Sequence, residues 1–236
     1  MNFDSFSTAP WFDSSYSVII GGVGNIGSWT SFLLSRMGYQ IILYDMDTIE
    51  QRNLGSQLYR VSDVGKKKVE SLRDTIRVFS GNSKVSIFQE YNESSMTGNI
   101  VISCFDNMAA RQIMFDKWVA HQEDKIKKVK SGEREKDPTE VNIFIDGRSL
   151  AEMGIVYAVK SPHDVKRYKE EFFNDSEVEP QVCSFKSTSH NGAMIASVIT
   201  SILCNHIVNK KQGENIRAVP FKVEYELPLL TFRTYD

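Results

Sequence analysis

The sequence predicts an α/β fold with a mostly parallel sheet, and three observations carry that prediction. Ser17 to Ile20 reads as a short buried strand entering the turn Gly21-Gly-Val-Gly-Asn-Ile-Gly27, after which Ile26, Trp29, Leu33 and Met37 recur at helical spacing. A second apolar run, Gln40 to Tyr44, ends at Asp45. A third, Asn99 to Cys104, ends at Asp106, and such strand ends are where ligands gather in an open α/β sheet.

Taken in order, each segment has a physical reason. The turn needs Gly22, Gly24 and Gly27 because its backbone must approach phosphate oxygens closely, and the following helix offers unpaired N–H groups and the positive end of its dipole. Asp45, eighteen residues past Gly27, is placed to accept hydrogen bonds from a ribose. Those two features alone are shared by most dinucleotide enzymes, so a nicotinamide-dependent (NAD) dehydrogenase is one reading. The next stretch separates the candidates. Asp45-Met-Asp47 continues through Asn53 and Gln57 into Val64-Gly65-Lys66-Lys67-Lys68 with no intervening strand, and a helix is expected over about 65–79. A lysine on the first turn of that helix supplies a point charge for the β and γ phosphates of ATP, a role that Lys68 fits and a dehydrogenase does not need.

Lys84 to Phe88 reads as a strand, and a helix over about 107–121 is expected to bury Met108, Ile113, Met114 and Trp118. Residues 122–140 alternate lysines and arginines with acids and end at Pro138, which reads as a charged, mobile insertion, a helix extension with an exposed loop, against the alternative of a docking surface for an acidic protein partner. Strands follow at Asn142 to Ile145 and Gly154 to Val159, then a short charged helix from Lys166 to Phe173 and an acidic linker from Asn174 to Gln181. A long apolar helix over about 190–209 and a strand from Phe221 to Tyr225 lead to a tail, 228–236, too apolar to be simply disordered.

Together the motifs resemble the adenylating enzymes related to ThiF, MoeB and the ubiquitin-activating enzymes. The residues that carry the resemblance are Gly22 to Gly27, Asp45-Met-Asp47, Asn53-Leu, Gln57, Val64-Gly65, Lys68, and Ser103-Cys-Phe-Asp106-Asn107 followed by Arg111. The resemblance implies a Rossmann-like three-layer fold, its mostly parallel sheet continued by antiparallel strands, as a single adenylation domain spanning residues 1–236 with an N-terminal segment at 1–16. It implies that Gly22, Gly24, Asn25, Gly27, Asp45, Asp47, Asn53, Gln57 and Lys68 line an ATP site. It also implies that Asp106 sits near Mg²⁺ and the α-phosphate, while the role of Arg111 is left open. The implied reaction activates a carboxylate, the C-terminal glycine of a ubiquitin-like or sulfur-carrier protein, as an acyl-adenylate. Relatives are commonly homodimers whose nucleotide sites are completed near the subunit boundary.

Three departures bear on the chemistry. Ser56 stands where the family usually carries an arginine, and residues 1–16 contain no arginine. Arg60 and Arg148 are the nearest replacements, and Arg148 divides evenly between a nucleotide contact and a structural or substrate-binding role. A catalytically weakened, nucleotide-binding regulatory or scaffold subunit is therefore a second reading. The two Cys-x-x-Cys pairs that hold zinc in many relatives are absent, and the three cysteines are Cys104, Cys183 and Cys204. Cys183 is the internal candidate to accept the acyl group, against a buried or inert thiol. Cys104 and Cys204 lie in apolar segments and read as packing residues. The histidines at 121, 163, 190 and 206 form no metal-ligand spacing, and His163 in Ser-Pro-His-Asp reads as a turn residue.

Composition bounds the alternatives. A chain of 236 residues with 41% hydrophobic residues and a net charge of −2 has material for one large core and no bulk charge for nucleic acid. No membrane span or secretory signal is read from the apolar runs, and the unpatterned cysteines agree with a reducing compartment, so a cytoplasmic location is expected.

Overall fold

A computed structural model describes residues 8–173 and 188–236. In chain order the elements are β1 (Ser17–Gly21), α1 (Asn25–Arg36), β2 (Gln40–Tyr44), α2 (Lys68–Ser80), β3 (Val85–Phe88), β4 (Ile100–Ser103), α3 (Met108–Lys130), β5 (Ile143–Leu150), β6 (Met153–Val159), α4 (Pro162–Lys169), α5 (Ser189–Gln212), β7 (Lys222–Glu226) and β8 (Thr231–Tyr235). All eight strands join one sheet in the order β3-β2-β1-β4-β5-β6-β7-β8. The first five in that order run parallel, and β6, β7 and β8 continue the sheet antiparallel.

The central strands are apolar on both faces because helices cover both. Val18, Ile20, Ile41, Leu43, Ile102 and Ile145 point to one layer, where Leu34 of α1, Leu72 and Ile76 of α2, and Ile195, Ile199 and Leu203 of α5 meet them. Ile19, Val101, Phe144 and Tyr157 point to the other, against Met114, Phe115 and Trp118 of α3 and Tyr168 of α4. Each large side chain buried in this way stabilises the fold by roughly 1.5–3 kcal/mol. Helix ends follow local chemistry: Asn107, Ser161 and Thr188 accept an N–H at the starts of α3, α4 and α5, while Gly81 and Gly213 end α2 and α5 in the left-handed conformation.

The start of α5 ties the two halves of the sheet together. Buried Asn191 donates through Nδ2 to Ala151 O (2.7 Å), Met153 O (3.0 Å) and Ser149 Oγ (3.1 Å) of the β5–β6 hairpin. Its Oδ1 accepts from Tyr225 of β7 at 2.5 Å. Beside it, a Cβ on Gly192 would lie 2.8 Å from the Asn25 backbone carbonyl oxygen, so α5 and the start of α1 pack at backbone distance.

The structure sharpens several expectations. The charged segment 122–140 begins as a helix extension, the last turns of α3, since nothing breaks the helix before Gly132 and Lys128 pairs with Asp124 at 2.7 Å. Lys125 turns inward, buried, to Glu140 (2.8 Å), Asn99 (2.9 Å) and Asn142 (2.5 Å), which fastens the segment to the sheet. The C-terminal tail is strand β8, whose Phe232 stacks on Tyr225 at 5.2 Å. His163 lies in the first turn of α4 behind Pro162, rather than in a turn. The expected linker 174–181 lies outside the described residues.

Candidate active site

The site is built at the carboxyl edge of the parallel strands, where β1 is flanked by β2 and β4 and the strand order reverses. Gly22 has a φ of 78°, and a Cβ there would meet Cys104 O at 2.7 Å. A Cβ on Gly27 would lie 1.8 Å from Gly22 O, so this glycine lets α1 close on the turn. Gly24 differs, because a Cβ there would meet nothing nearer than Gln57 Nε2 at 3.8 Å. Behind it α1 starts with no side-chain cap and no acid in its first turn, which leaves its amides and dipole available to an anion.

Asp45, at the end of β2, is buried and accepts N–H from Val23 and Asp47, each at 2.8 Å. Burial raises its pKa, opposed by Lys68 and by those two amides. Each carboxylate oxygen retains a lone pair, the capacity a ribose diol requires. Asp47 receives Lys68 Nζ at 2.7 Å, and its carbonyl accepts the Lys68 N–H at 3.1 Å. Lys68 is the first residue of α2, so its buried side chain stands at the same edge as Asp45.

Residues 53–59 lie against the glycine turn. Tyr59 donates to Val23 O at 2.6 Å, Leu58 N–H to Ser28 Oγ at 3.1 Å, and Trp29 Nε1 to Ser56 O at 3.1 Å. Asn53 Oδ1 accepts the Glu50 N–H at 2.8 Å and so shapes the short turn Gln51–Gly55. Gln57 Oε1 is buried with no hydrogen-bond partner among the described residues. The Asn25 amide nitrogen, in the orientation that satisfies its neighbours, reaches Ser56 O (2.8 Å) and Thr188 O (3.3 Å), so this side chain braces the turn.

On the other flank of β1, Asp106 follows β4, exposed, with Asn107 Nδ2 at 3.4 Å. Lys68, held by Asp47 just past the end of β2, and Asp106, just past the end of β4, thus lie beyond the two strands that flank β1.

Arg148 takes the structural branch of its two expectations. Its guanidinium binds Asp146 at 2.6 Å and Glu171 O at 2.9 Å, and lies over the rings of Tyr157 (4.7 Å), Tyr168 (5.6 Å) and Phe173 (5.8 Å). Asp146 is fully buried; burial alone would raise its pKa, but Arg111, Arg148 and Tyr168 outweigh it and hold the carboxylate below its ordinary value. Arg60, the other proposed replacement, pairs with Asp63 at 2.8 Å. Cys104 and Cys204 are buried thiols pushed up to about 12 by burial, which suits packing rather than attack. Cys183 lies outside the described residues. The motifs assign no role to Asp146 or Arg111; the one signal in the chain is Asp146-Gly-Arg148 closing an apolar strand.

A cavity of about 390 Å³, lined by Val198, Ile202, Val223 and Phe232 among others, lies between α5 and the β7–β8 hairpin and shares no residue with this edge.

Comparison with known proteins bears on the family and the fold. The model of the ThiF family matches residues 13–235. Ubiquitin-like modifier-activating enzyme 5 of Culex quinquefasciatus is 32% identical over 114 residues, 40% of this chain and 29% of the relative. The protein of the same name from Caenorhabditis briggsae is 31% identical over 113 residues, 40% and 26% of the two chains. The match therefore spans less than a third of the length of either relative. Among solved structures, PaaA superposes with a TM-score of 0.65 at 19% identity, covering 94% of this chain and 64% of that one. E. coli MccB, solved with ATP, gives 0.62 at 15% identity, covering 94% and 63%. At such identities the structural likeness establishes the shared fold, and the family model establishes the rest: from Asp13 to Tyr235, the chain belongs to the ThiF family.

Proposed function

We propose that this chain is an ATP-dependent adenylyltransferase that activates a carboxylate, with the C-terminal glycine of a ubiquitin-like or sulfur-carrier protein as the substrate class. The observation that carries the reading is the placement of Lys68 and Asp106 on either side of the glycine turn at one sheet edge. The family supports the reaction type, as do relatives named as ubiquitin-like modifier-activating enzymes.

The residues present fit ATP as substrate. Gly24 and the uncapped start of α1 suit its phosphates, and Asp45 suits its ribose. They also fit Mg²⁺. This ion is commonly bound by one or two carboxylates together with phosphate oxygens and water, and Asp106 is an exposed carboxylate with no cation paired to it among the described residues. Among the described residues no group of three or more His, Cys, Asp or Glu is assembled, as a self-contained metal cage would require. Bound there, Mg²⁺ would neutralise phosphate charge.

In this reaction a carboxylate oxygen forms a bond to the α-phosphorus as the bond to pyrophosphate breaks. The protein aligns the two reactants and balances charge. Lys68, released from or shared with Asp47, sets a cation beside the departing pyrophosphate, the α1 amides meet phosphate oxygens, and Asp106 would hold the metal. A thiolate then attacks the acyl carbon, AMP leaves and a thioester forms. Cys183 is the internal candidate for that thiolate, and a separate partner protein is the alternative.

ATP–pyrophosphate exchange tests the reading. Asp106→Ala is expected to abolish Mg²⁺-dependent exchange without lowering Tm, and full activity in that variant removes Asp106 from the mechanism. Cys183→Ala is expected to keep exchange and lose any thioester; a thioester on that variant rules out Cys183 as its carrier. Ser56 and the arginine-free residues 1–16 favour one second reading, a nucleotide-binding regulatory or scaffold subunit. That reading predicts ATP binding with no exchange, with or without a carrier protein. Binding of NADH but not ATP, with indifference to Lys68→Ala, would restore the dehydrogenase.

A further inference from the structure

The last register row of the parallel sheet runs Tyr44, Gly21, Ser103, Asp146 across β2, β1, β4 and β5. Asp146 therefore lies directly beside the end of β4, two residues short of the Phe105 carbonyl that precedes Asp106. Arg111, one turn into α3, folds its side chain back toward the start of its own helix, as helical side chains do. There its guanidinium donates to Asp146 Oδ1, to the Phe105 carbonyl, and to the Gly147 carbonyl at 3.2 Å. Arg111 is 6% exposed and Asp146 is fully buried, so this fork is shielded from water.

The anion behind the fork is itself held from a second side. Arg148 Nε and Tyr168 OH reach Asp146 Oδ2 at 2.6 and 2.8 Å. Oδ1 is thus left to Arg111, while Oδ2 anchors the carboxylate to β5 and α4. Asn107 completes the bend by accepting the Ala110 N–H at 2.8 Å. Between the clamped Phe105 carbonyl and the capped helix start, Asp106 has little freedom in where its carboxylate leaves the sheet.

We propose that Arg111 is a positioning residue for Asp106: by clamping the Phe105 carbonyl against buried Asp146, it aims the Asp106 carboxylate at the edge beside the glycine turn. The inference rests on the proposed nucleotide role of that edge. Arg111 touches no reacting atom in this account. It acts as the outer partner of a metal ligand, a class of residue whose loss commonly weakens metal affinity 10- to 100-fold.

The test uses the full-length chain with Arg111→Met and Arg111→Lys. Because Asp146 keeps Arg148 and Tyr168 in both variants, neither leaves that buried carboxylate without a partner. Mn²⁺ affinity in the presence of a non-hydrolysable ATP analogue is read by electron paramagnetic resonance, beside metal-free analogue affinity and Tm. Arg111→Met is expected to weaken Mn²⁺ at least about 10-fold with metal-free affinity changed less than about 2-fold. Arg111→Lys should recover part of the loss, since an ammonium reaches Asp146 but cannot fork across two carbonyls as well. Unchanged Mn²⁺ affinity in Arg111→Met overturns the proposal. So does a parallel loss of metal and metal-free analogue binding, which would make Arg111 a framework residue only. A wild-type chain that binds Mn²⁺ and analogue yet performs no pyrophosphate exchange would overturn the adenylation reading, while the Mn²⁺ comparison still decides the role of Arg111.

Discussion

Two alanines three residues apart in the glycine turn are expected to fail in opposite ways. At Gly27 an added Cβ would stand 1.8 Å from the Gly22 carbonyl oxygen and 3.2 Å from Cys104 Cβ. Ordinary contact begins near 3.4 Å, so α1 must withdraw by roughly 1.5 Å, and the obstacle is backbone that cannot rotate aside. Withdrawal also disturbs the Asn25–Gly192 contact. The cost belongs at the upper end of overpacking, about 3 kcal/mol, which for a chain of this size lowers Tm by about 6–12 °C. At Gly24 the nearest atom to an added Cβ is Gln57 Nε2 at 3.8 Å, so Gly24→Ala should keep Tm within about 2 °C. The methyl would instead occupy the space where phosphate oxygens approach, and ATP affinity should fall at least about 10-fold, or 1.4 kcal/mol. Differential scanning calorimetry and titration calorimetry read the two effects separately. A Gly27→Ala protein with wild-type Tm would refute the packing argument, and a Gly24→Ala protein with wild-type ATP affinity would refute the assignment of the turn.

Further outcomes are open to measurement. Asp146→Asn removes the buried anion from between Arg111 and Arg148 and should cost about 3–5 kcal/mol in urea unfolding; a loss below about 1 kcal/mol would mean the arginines find other partners. Acid should destabilise the fold in two windows. Burial lowers the His206 pKa from 6.5 to about 4, so its unfolded form binds the extra proton and stability falls as pH drops from 6.5 toward 4. His206→Gln should flatten that slope. Burial acts to raise Glu140, but hydrogen bonds from Lys125, Arg134 and Asn142 outweigh it and hold the carboxyl at about 2 against an ordinary 4.5. Its contribution, on the order of 3 kcal/mol, is present above pH 4.5 and lost as pH falls toward 2. Glu140→Gln should remove that lower slope, and an unchanged pH profile in either variant would contradict the assignment.

Much of the site could be read from the chain because it depends on where strands end. Asp45 and Asp106 each follow an apolar run, and Lys68 follows Gly65 at the start of an amphipathic helix, so local pattern alone set them on one edge. The framework beneath was harder to see, since Arg111 and Asp146 meet across 35 residues and neither position looks unusual alone. Arg148 is ambiguous because an arginine at a strand end is compatible with a ligand; its anion, Asp146, is only two residues away, but the Tyr168 and Glu171 that enclose it come from far along the chain. β8 was missed because an edge strand buries too little to show alternation, and Leu229, Leu230 and Phe232 remain exposed. The inward turn of Lys125 is not legible because the last turns of α3 are charged on nearly every side, which reads as a solvated face until Lys125 is found against the sheet.

The order in which the parts are synthesised gives the position of α5 a consequence. This helix covers α1, the first helix made, and through Asn191 it also fastens the β5–β6 hairpin, yet it emerges from the ribosome after both. A nascent chain ending before residue 189 would hold Val18, Ile20 and Ile145 without the Ile195, Ile199 and Leu203 that shield them. Such a chain should be a client for chaperones, and the fold cannot be dissected into an autonomous parallel half and a separate antiparallel half. Both halves become competent together, when the last long helix closes over them.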